Sequence, residues 1–187
     1  ASATADASAD VVETHDLHPL LRATTLRVAF GTQTGTAKRL SQQLLDTAED
    51  TTLGPRTPLD CSLVNLKHYD VDNLEQESLI VFVMCTWEGG TPPEAAKVFC
   101  DWLEDMANDF RCPRTFLQNV SYAVFGLGDS EYAAKGNFCK AALKLDEHMS
   151  RLGARRIAPF RRGDSGNYGD DVESQFGNWC SEEFWPA

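Results

Sequence analysis

Seven consecutive apolar residues, Leu79 to Cys85 (LIVFVMC), constrain this chain more than any other feature. Successive side chains of a strand point to opposite faces, so a run that is apolar at every position must be covered on both sides. A central parallel strand between two helical layers meets that condition. The run is also far shorter than the roughly 18 residues a membrane span needs. Around it, short apolar segments alternate with helical patterns, the sequence form of a parallel sheet with crossover helices. Leu26 to Phe30 reads as a first strand, and Ala37, Leu40, Leu44, Leu45 and Ala48 then recur at helical spacing. Leu59 to Leu66 reads as a second strand, reached through a turn at Gly54 and Pro55. Val120 to Phe125 is the expected fourth strand and Ile157 to Phe160 the fifth. Pro92 and Pro93 suit the first turn of a helix whose buried stripe would be Ala95, Phe99, Trp102, Leu103 and Met106. Phe138, Ala141, Ala142, Leu145, Met149 and Leu152 mark another helix, stopping at Gly153, and a last one runs from about Asp170 to Phe184. The expected fold is a doubly wound α/β domain with five parallel strands in the order 2-1-3-4-5 and helices on both faces.

With 187 residues, the chain suits one domain. Residues 1–24, rich in Ala, Ser, Thr and Asp, read as a disordered or linker tail, leaving 25–187 as the folded unit. His15 and His18 lie in that tail, where a pair of histidines more often has no role than holds a metal. The net charge of −11 opposes nucleic acid and anionic lipid as direct partners and favours basic protein surfaces. Six cysteines are scattered without a C-x-x-C pair, as in a protein with reduced thiols, so an intracellular location is expected, the cytoplasm first with an organelle left open.

In a doubly wound sheet, ligands sit beyond the carboxyl ends of the strands, near the switch in strand order. Three loops lie there. The first, Gly31-Thr32-Gln33-Thr34-Gly35-Thr36, leads directly into a helix, where unpaired N–H groups and the helix dipole favour an anion such as a phosphate. It lacks the Gly-Lys-Ser/Thr ending of a Walker A loop and the G-x-G-x-x-G of a dinucleotide turn. An ordinary Thr-capped turn is the alternative. Thr86-Trp87-Glu88-Gly89-Gly90-Thr91 places an indole directly after the buried strand, either to stack on a flat heterocycle or to cover the end of the core. Gly126-Leu127-Gly128-Asp129-Ser130-Glu131-Tyr132 brings a second aromatic to the neighbouring strand end. Trp87 and Tyr132 together could sandwich one planar ring whose phosphate lies in the Thr-rich loop.

Thr-Gln-Thr-Gly-Thr-Ala (32–37), Thr-Trp-x-Gly-Gly and Phe-Gly-Leu-Gly-Asp-Ser-x-Tyr (125–132) resemble the FMN-binding loops of flavodoxins and of the FMN domains of diflavin reductases, over residues 26–185. The segments 102–111 (WLEDMANDFR), Phe138-Cys139 and 150–157 (SRLGARRI) resemble most the flavodoxin-like domain of tRNA wybutosine-synthesising radical-SAM enzymes. The resemblance implies that residues Thr32 to Thr36, with Ala37, hold the FMN phosphate and that Trp87 and Tyr132 flank the isoalloxazine. It places Gly128 and Asp129 by the pyrimidine side, with Thr86, Glu88, Gly89, Gly90, Gly126, Leu127 and Asn137 completing the contacts. Asp164 falls where diflavin domains carry an acidic residue beside the flavin, or it is a turn-forming aspartate. Glu88 stands where the family commonly has a glycine whose peptide flips toward the flavin N5, and Gly136 replaces a bulky residue.

The implied function is electron transfer without acid–base catalysis. An FMN domain of a larger tRNA-modifying enzyme would supply electrons to the iron–sulfur cluster of a radical-SAM domain, take them from an external reductant, and meet tRNA only through that partner domain. The chain has no C-x-x-x-C-x-x-C and does not hold such a cluster itself. An FMN domain of a diflavin reductase keeps the chemistry and changes the partner. A structural or tRNA-binding module is the reading of another class, and a receiver-type switch is disfavoured by Phe30-Gly31 and Thr86-Trp87 where its acidic residues belong. Arg151, Arg155, Arg156, Arg161 and Arg162 form a basic cluster that either touches a partner or is a solvated face paired with Asp164, Asp170 and Asp171. Asp101, Glu104, Asp105 and Asp109 are a wet helix face or a dock for a basic acceptor.

Overall fold

A computed structural model describes residues 23–50, 59–167 and 169–186. Strand β1 (Thr25–Gly31) feeds helix α1 (Thr36–Asp50), followed by β2 (Asp60–Asn65) and β3 (Leu79–Cys85). Helix α2 (Glu94–Asn108), β4 (Ser121–Gly128) and α3 (Lys140–Arg151) come next. Two short strands, β5 (Arg155–Arg156) and β6 (Arg161–Asp164), precede α4 (Val172–Trp179), which continues into a π-helical turn over Cys180–Phe184. All pairings are parallel, in the order β2-β1-β3-β4-β5, with β6 also on β4. The Gly54-Pro55 turn, His15, His18 and nearly all of the expected tail lie outside the described residues.

The apolar run of β3 is explained by its position. Val81 and Val83 pack with Leu40, Leu44, Phe125, Phe176 and Trp179 beneath α1 and α4. Ile80, Phe82 and Met84 turn the other way, onto Phe99, Leu103, Leu145 and Met149 of α2 and α3. Both faces are dry, and fully burying a side chain the size of Phe82 stabilises by about 1.5–3 kcal/mol.

Helix α2 is rotated relative to the expected stripe: Ala96, Phe99, Leu103 and Ala107 are buried, whereas Ala95, Trp102 and Met106 are half-buried. The cause is a close approach at the end of β1. A Cβ on Gly31 would lie 2.7 Å from the Ala96 Cβ and 2.6 Å from the Met84 sulfur, so two small residues let the helix settle on the strand end with its Ala96 face down. Pro93 is the extended N-cap residue, and the helix starts one position after it.

The fifth strand is also different from expectation. Ile157 to Phe160 does not form a strand; β5 and β6 pair with β4 on either side of it, making six strand segments instead of five. Pro159 has no N–H for a ladder. Its carbonyl instead accepts a hydrogen bond from the Trp179 indole (3.1 Å) while Ala158 is buried. This break lets β6 restart beside the carboxyl end of β4, with Asp164 opposite Gly128.

Candidate functional site

The carboxyl ends of β1, β3, β4 and β6 surround a cleft of about 1000 Å³. Thr32, Gln33, Thr34 and Thr36 form one end of it. The Thr32 hydroxyl accepts from the Gly35 N–H (2.9 Å), and the Gly35 carbonyl accepts from the Arg39 N–H (3.0 Å), so the loop is closed on itself and locked to α1. The N–H groups of a first helical turn lack intrahelical acceptors, and this turn carries no acidic side chain to occupy them. A dianion placed there meets oriented donors and hydroxyls without a competing carboxylate from that turn.

Two aromatic side chains share that lining. Trp87 and Tyr132 both line the cleft and remain 44% and 53% exposed, so neither ring is spent on covering the core. Trp87 is held by a closed turn: its N–H donates to the Thr91 carbonyl (2.8 Å), its carbonyl accepts from Gly90 N–H (3.0 Å), and the Thr91 hydroxyl donates to the Glu88 carbonyl (2.8 Å). Gly89 and Gly90 take the left-handed conformations this turn requires, at φ 69° and 81°, and Glu88 does not. The Thr86 N–H donates to the Leu127 carbonyl (2.9 Å) and its hydroxyl accepts from the Ala141 N–H (3.2 Å), which ties the Trp87 loop to both β4 and α3.

Tyr132 stands on a 3₁₀ turn, Ser130–Lys135, capped by Asp129, whose carboxylate accepts from the Glu131 N–H (2.8 Å). Asp164 reaches across from β6 and accepts from the Ser130 N–H (2.8 Å) and the Gly166 N–H (2.9 Å). Burial alone would raise its carboxyl pKa, but these hydrogen bonds outweigh it and hold the group below the ordinary aspartate value. Asp164 therefore faces the cleft and also fastens the turn that presents Tyr132. At the base of the cleft, burial pushes the Cys85 thiol up, opposed by a hydrogen bond from the Gln33 backbone.

Of the residues expected in the site, Thr32, Gln33, Thr34, Thr36, Thr86, Trp87, Glu88, Gly89, Leu127, Gly128, Asp129, Tyr132, Asn137 and Asp164 line the cleft. Four do not. Ala37 lies on the buried face of α1, in the core, and Gly126 is buried where a Cβ would meet Ala142 (2.8 Å). Gly90 is buried against Asn137, and Gly35 shapes its loop without lining the cavity. The sequence reading missed Arg39, Cys85, Lys135, Ser165, Asn167, Asp171, Val172 and Glu173. Arg39 had a usable signal, since position i+3 from Thr36 faces the loop it follows. Ser165 to Glu173 had none, because the break before β6 brings them there.

Four of the five arginines of the basic cluster are engaged within the fold, though with other partners than expected, and Arg155 is exposed. Arg156 pairs with the buried Asp146, Arg161 with Glu183, and Arg151 donates to Asn108 (2.8 Å), while Arg162 lies over the Phe138 and Phe160 rings. On the acidic face, Asp101, Glu104 and Asp109 pair with Lys97, Lys144 and Arg111.

A family model described as Flavodoxin matches residues 28–179. The chain is 36% identical, over 82% of its length, to an S-adenosyl-L-methionine-dependent tRNA 4-demethylwyosine synthase from Mus musculus. It spans only 21% of that relative, about a fifth of its length. It is 39% identical, over 74% of its length, to 21% of the NADPH-dependent diflavin oxidoreductase 1 of Bos taurus. Among solved structures, a mutant flavodoxin of Fusobacterium nucleatum bound to flavin mononucleotide superposes with a TM-score of 0.62 at 16% identity, covering 88% of this chain and 96% of that one.

Proposed function

The chain belongs to the flavodoxin family, whose cofactor is FMN, and on that premise we propose that it binds FMN in the Trp87–Tyr132 cleft and serves as an electron-transfer domain. One observation carries the assignment: two half-exposed aromatic walls and an acid-free, Thr-lined helix N-terminus converge on one cleft of about 1000 Å³. That volume lies at the upper end of the range for small-molecule and cofactor sites. FMN supplies one- and two-electron redox chemistry when bound; the protein positions and tunes it.

Each part of the chain has a distinct task. Residues Thr32 to Thr36 bind the phosphate through N–H groups and hydroxyls, which fixes the ribityl end. Trp87 and Tyr132 orient the ring by stacking and exclude water from its faces. Asp164 holds Ser130 and so the Tyr132 turn, and Thr91 holds the Glu88 carbonyl and so the Trp87 turn. Among the described residues, the lining carries five carboxylates, Glu88, Asp129, Asp164, Asp171 and Glu173, against the two cations Arg39 and Lys135. This excess opposes added negative charge in the cleft, favouring departure of electrons.

The recipient we propose is the iron–sulfur cluster of a radical-SAM domain that modifies a tRNA base, with an external reductant upstream. The support is the tRNA 4-demethylwyosine synthase likeness, which covers more of the chain than the diflavin likeness, 82% against 74%. Electron passage to a haem or similar acceptor, as an FMN domain of a diflavin reductase, is the second reading, favoured by the 39% identity to that relative. Among the described residues, no helix is long and apolar enough to cross a membrane. The test is an absorption spectrum of the purified protein, followed by anaerobic reduction and mixing with each class of acceptor. A flavin spectrum with rapid reoxidation by the radical-SAM cluster is expected. A colourless protein that takes up no FMN would overturn the cofactor assignment, and reoxidation only by a haem acceptor would shift the partner.

A further inference from the structure

Arg39 and Glu173 form an ion pair between the first turn of α1 and the first turn of α4, 134 residues apart in sequence. Both line the same cleft as Thr34 and Thr36. The Arg39 backbone is anchored to the phosphate loop by its N–H on the Gly35 carbonyl (3.0 Å), so the guanidinium swings from a fixed base. Its neighbouring carboxylate Asp171 is engaged in capping α4, accepting from the Ser174 N–H (2.8 Å) and hydroxyl (3.1 Å). Glu173 is therefore the carboxylate that holds Arg39. The other cation of the lining, Lys135, stands on the Tyr132 turn.

We propose that Arg39 is a phosphate-selecting residue shared between Glu173 and the anionic end of the ligand, and that Glu173 sets the affinity by competing for it. The inference rests on the FMN reading above and deepens it. A guanidinium offers five donors in a planar fork, so it can keep one contact to Glu173 while turning others to a phosphate monoester. A dianion at a helix N-terminus outcompetes a single exposed carboxylate for that charge. The site then discriminates phosphorylated from unphosphorylated flavin by a charge as well as by hydroxyls and N–H groups. Glu173 restrains Arg39 in the free protein and weakens phosphate binding by the part of the pair that is given up on binding.

A pair that served only to strap α1 to α4 would behave differently, and the signs of two variants separate the cases. FMN and riboflavin are titrated into the wild-type protein, R39A, E173Q and the double variant, following quenching of flavin fluorescence at low and high salt. R39A is expected to weaken FMN by about 5- to 30-fold and riboflavin by less than about twofold, as for an Arg–phosphate contact at a half-exposed site. E173Q is expected to tighten FMN by about two- to fivefold, and the double variant to match R39A. R39K, which keeps the charge and loses the fork, should fall between wild type and R39A. The FMN preference lost in R39A should also be the part of the wild-type preference that high salt removes. Melting of the ligand-free variants shows that each is folded. If E173Q weakens or leaves unchanged the binding of FMN, or if R39A weakens both flavins equally, the pair is a strap and the inference fails while the FMN reading stands. A wild-type protein that binds neither flavin overturns both.

Discussion

The two ends of the cleft are built in opposite ways. The proposed phosphate end comes from consecutive residues, Thr32 to Thr36, closed by their own hydrogen bonds and continuous with α1. The ring end is assembled from β3, β4 and β6: Trp87 follows β3, Tyr132 follows β4, and Asp164 of β6 reaches over 34 residues to fix the second of these turns. A local site depends on one turn being right. A distributed one depends on the sheet register that brings three strand ends level, and so on the core that sets the register.

If this contrast is correct, changes at the two ends should differ in kind. The largest effect is expected from replacing Thr34 and Thr36 together with Ala. FMN binding should weaken by about 3–6 kcal/mol, since two hydrogen bonds to a charged group are lost at about 1.5–3 kcal/mol each. Riboflavin, lacking the phosphate, should change by less than about 0.5 kcal/mol, and comparative titrations check this. Equal losses for both ligands would break the assignment of that end. Next in size, Trp87→Ala should cost about 1–3 kcal/mol for both flavins alike, because it removes aromatic area and no phosphate contact. An unchanged affinity in the same titration would contradict the stacking role.

Asp164→Ala sharpens the distinction, because this residue acts on the ring end through Ser130. A loss of about 0.5–1 kcal/mol in affinity for either flavin is expected from two hydrogen bonds at a partly exposed site. Its effect on stability has a sign. The folded-state pKa is lowered, so the stabilisation is fully present at neutral pH and is lost as the pH falls through that lowered value. The melting difference between wild type and Asp164→Ala should therefore shrink in acid, and a difference that grows in acid would refute the role. Smallest of all, Glu88→Gln should raise the midpoint potential of bound flavin by about 20 mV, the equivalent of about half a kcal/mol for an exposed charge on a one-electron couple. Spectroelectrochemical titration measures it.

The same contrast explains what could be read in advance. β3 was legible to the residue because a both-faces-apolar run has one place in such a sheet, and the Thr-rich loop was legible as part of the cleft lining because its residues are contiguous. Trp87 and Tyr132 were legible as strand-end aromatics once the strand order was assumed. The fifth strand was not, because Pro159 and the Trp179 indole divert the chain for a reason spread over 20 residues. The wall formed by Ser165, Asn167 and Glu173 went unseen with it. The rotation of α2 depends on the missing side chain of Gly31 one strand away, which no periodicity within the helix reports.

In the proposed complex, one flavin spans both ends of this cleft. The most direct test of that arrangement is a fluorescence titration of the ligand-free protein with FMN and riboflavin in parallel. Both flavins should be quenched at one equivalent, as aromatic walls require, and FMN should bind at least about 100-fold more tightly, as about 3–6 kcal/mol of phosphate contacts requires. Flavin fluorescence that stays undiminished at saturation, or equal affinity for the two ligands, would contradict it.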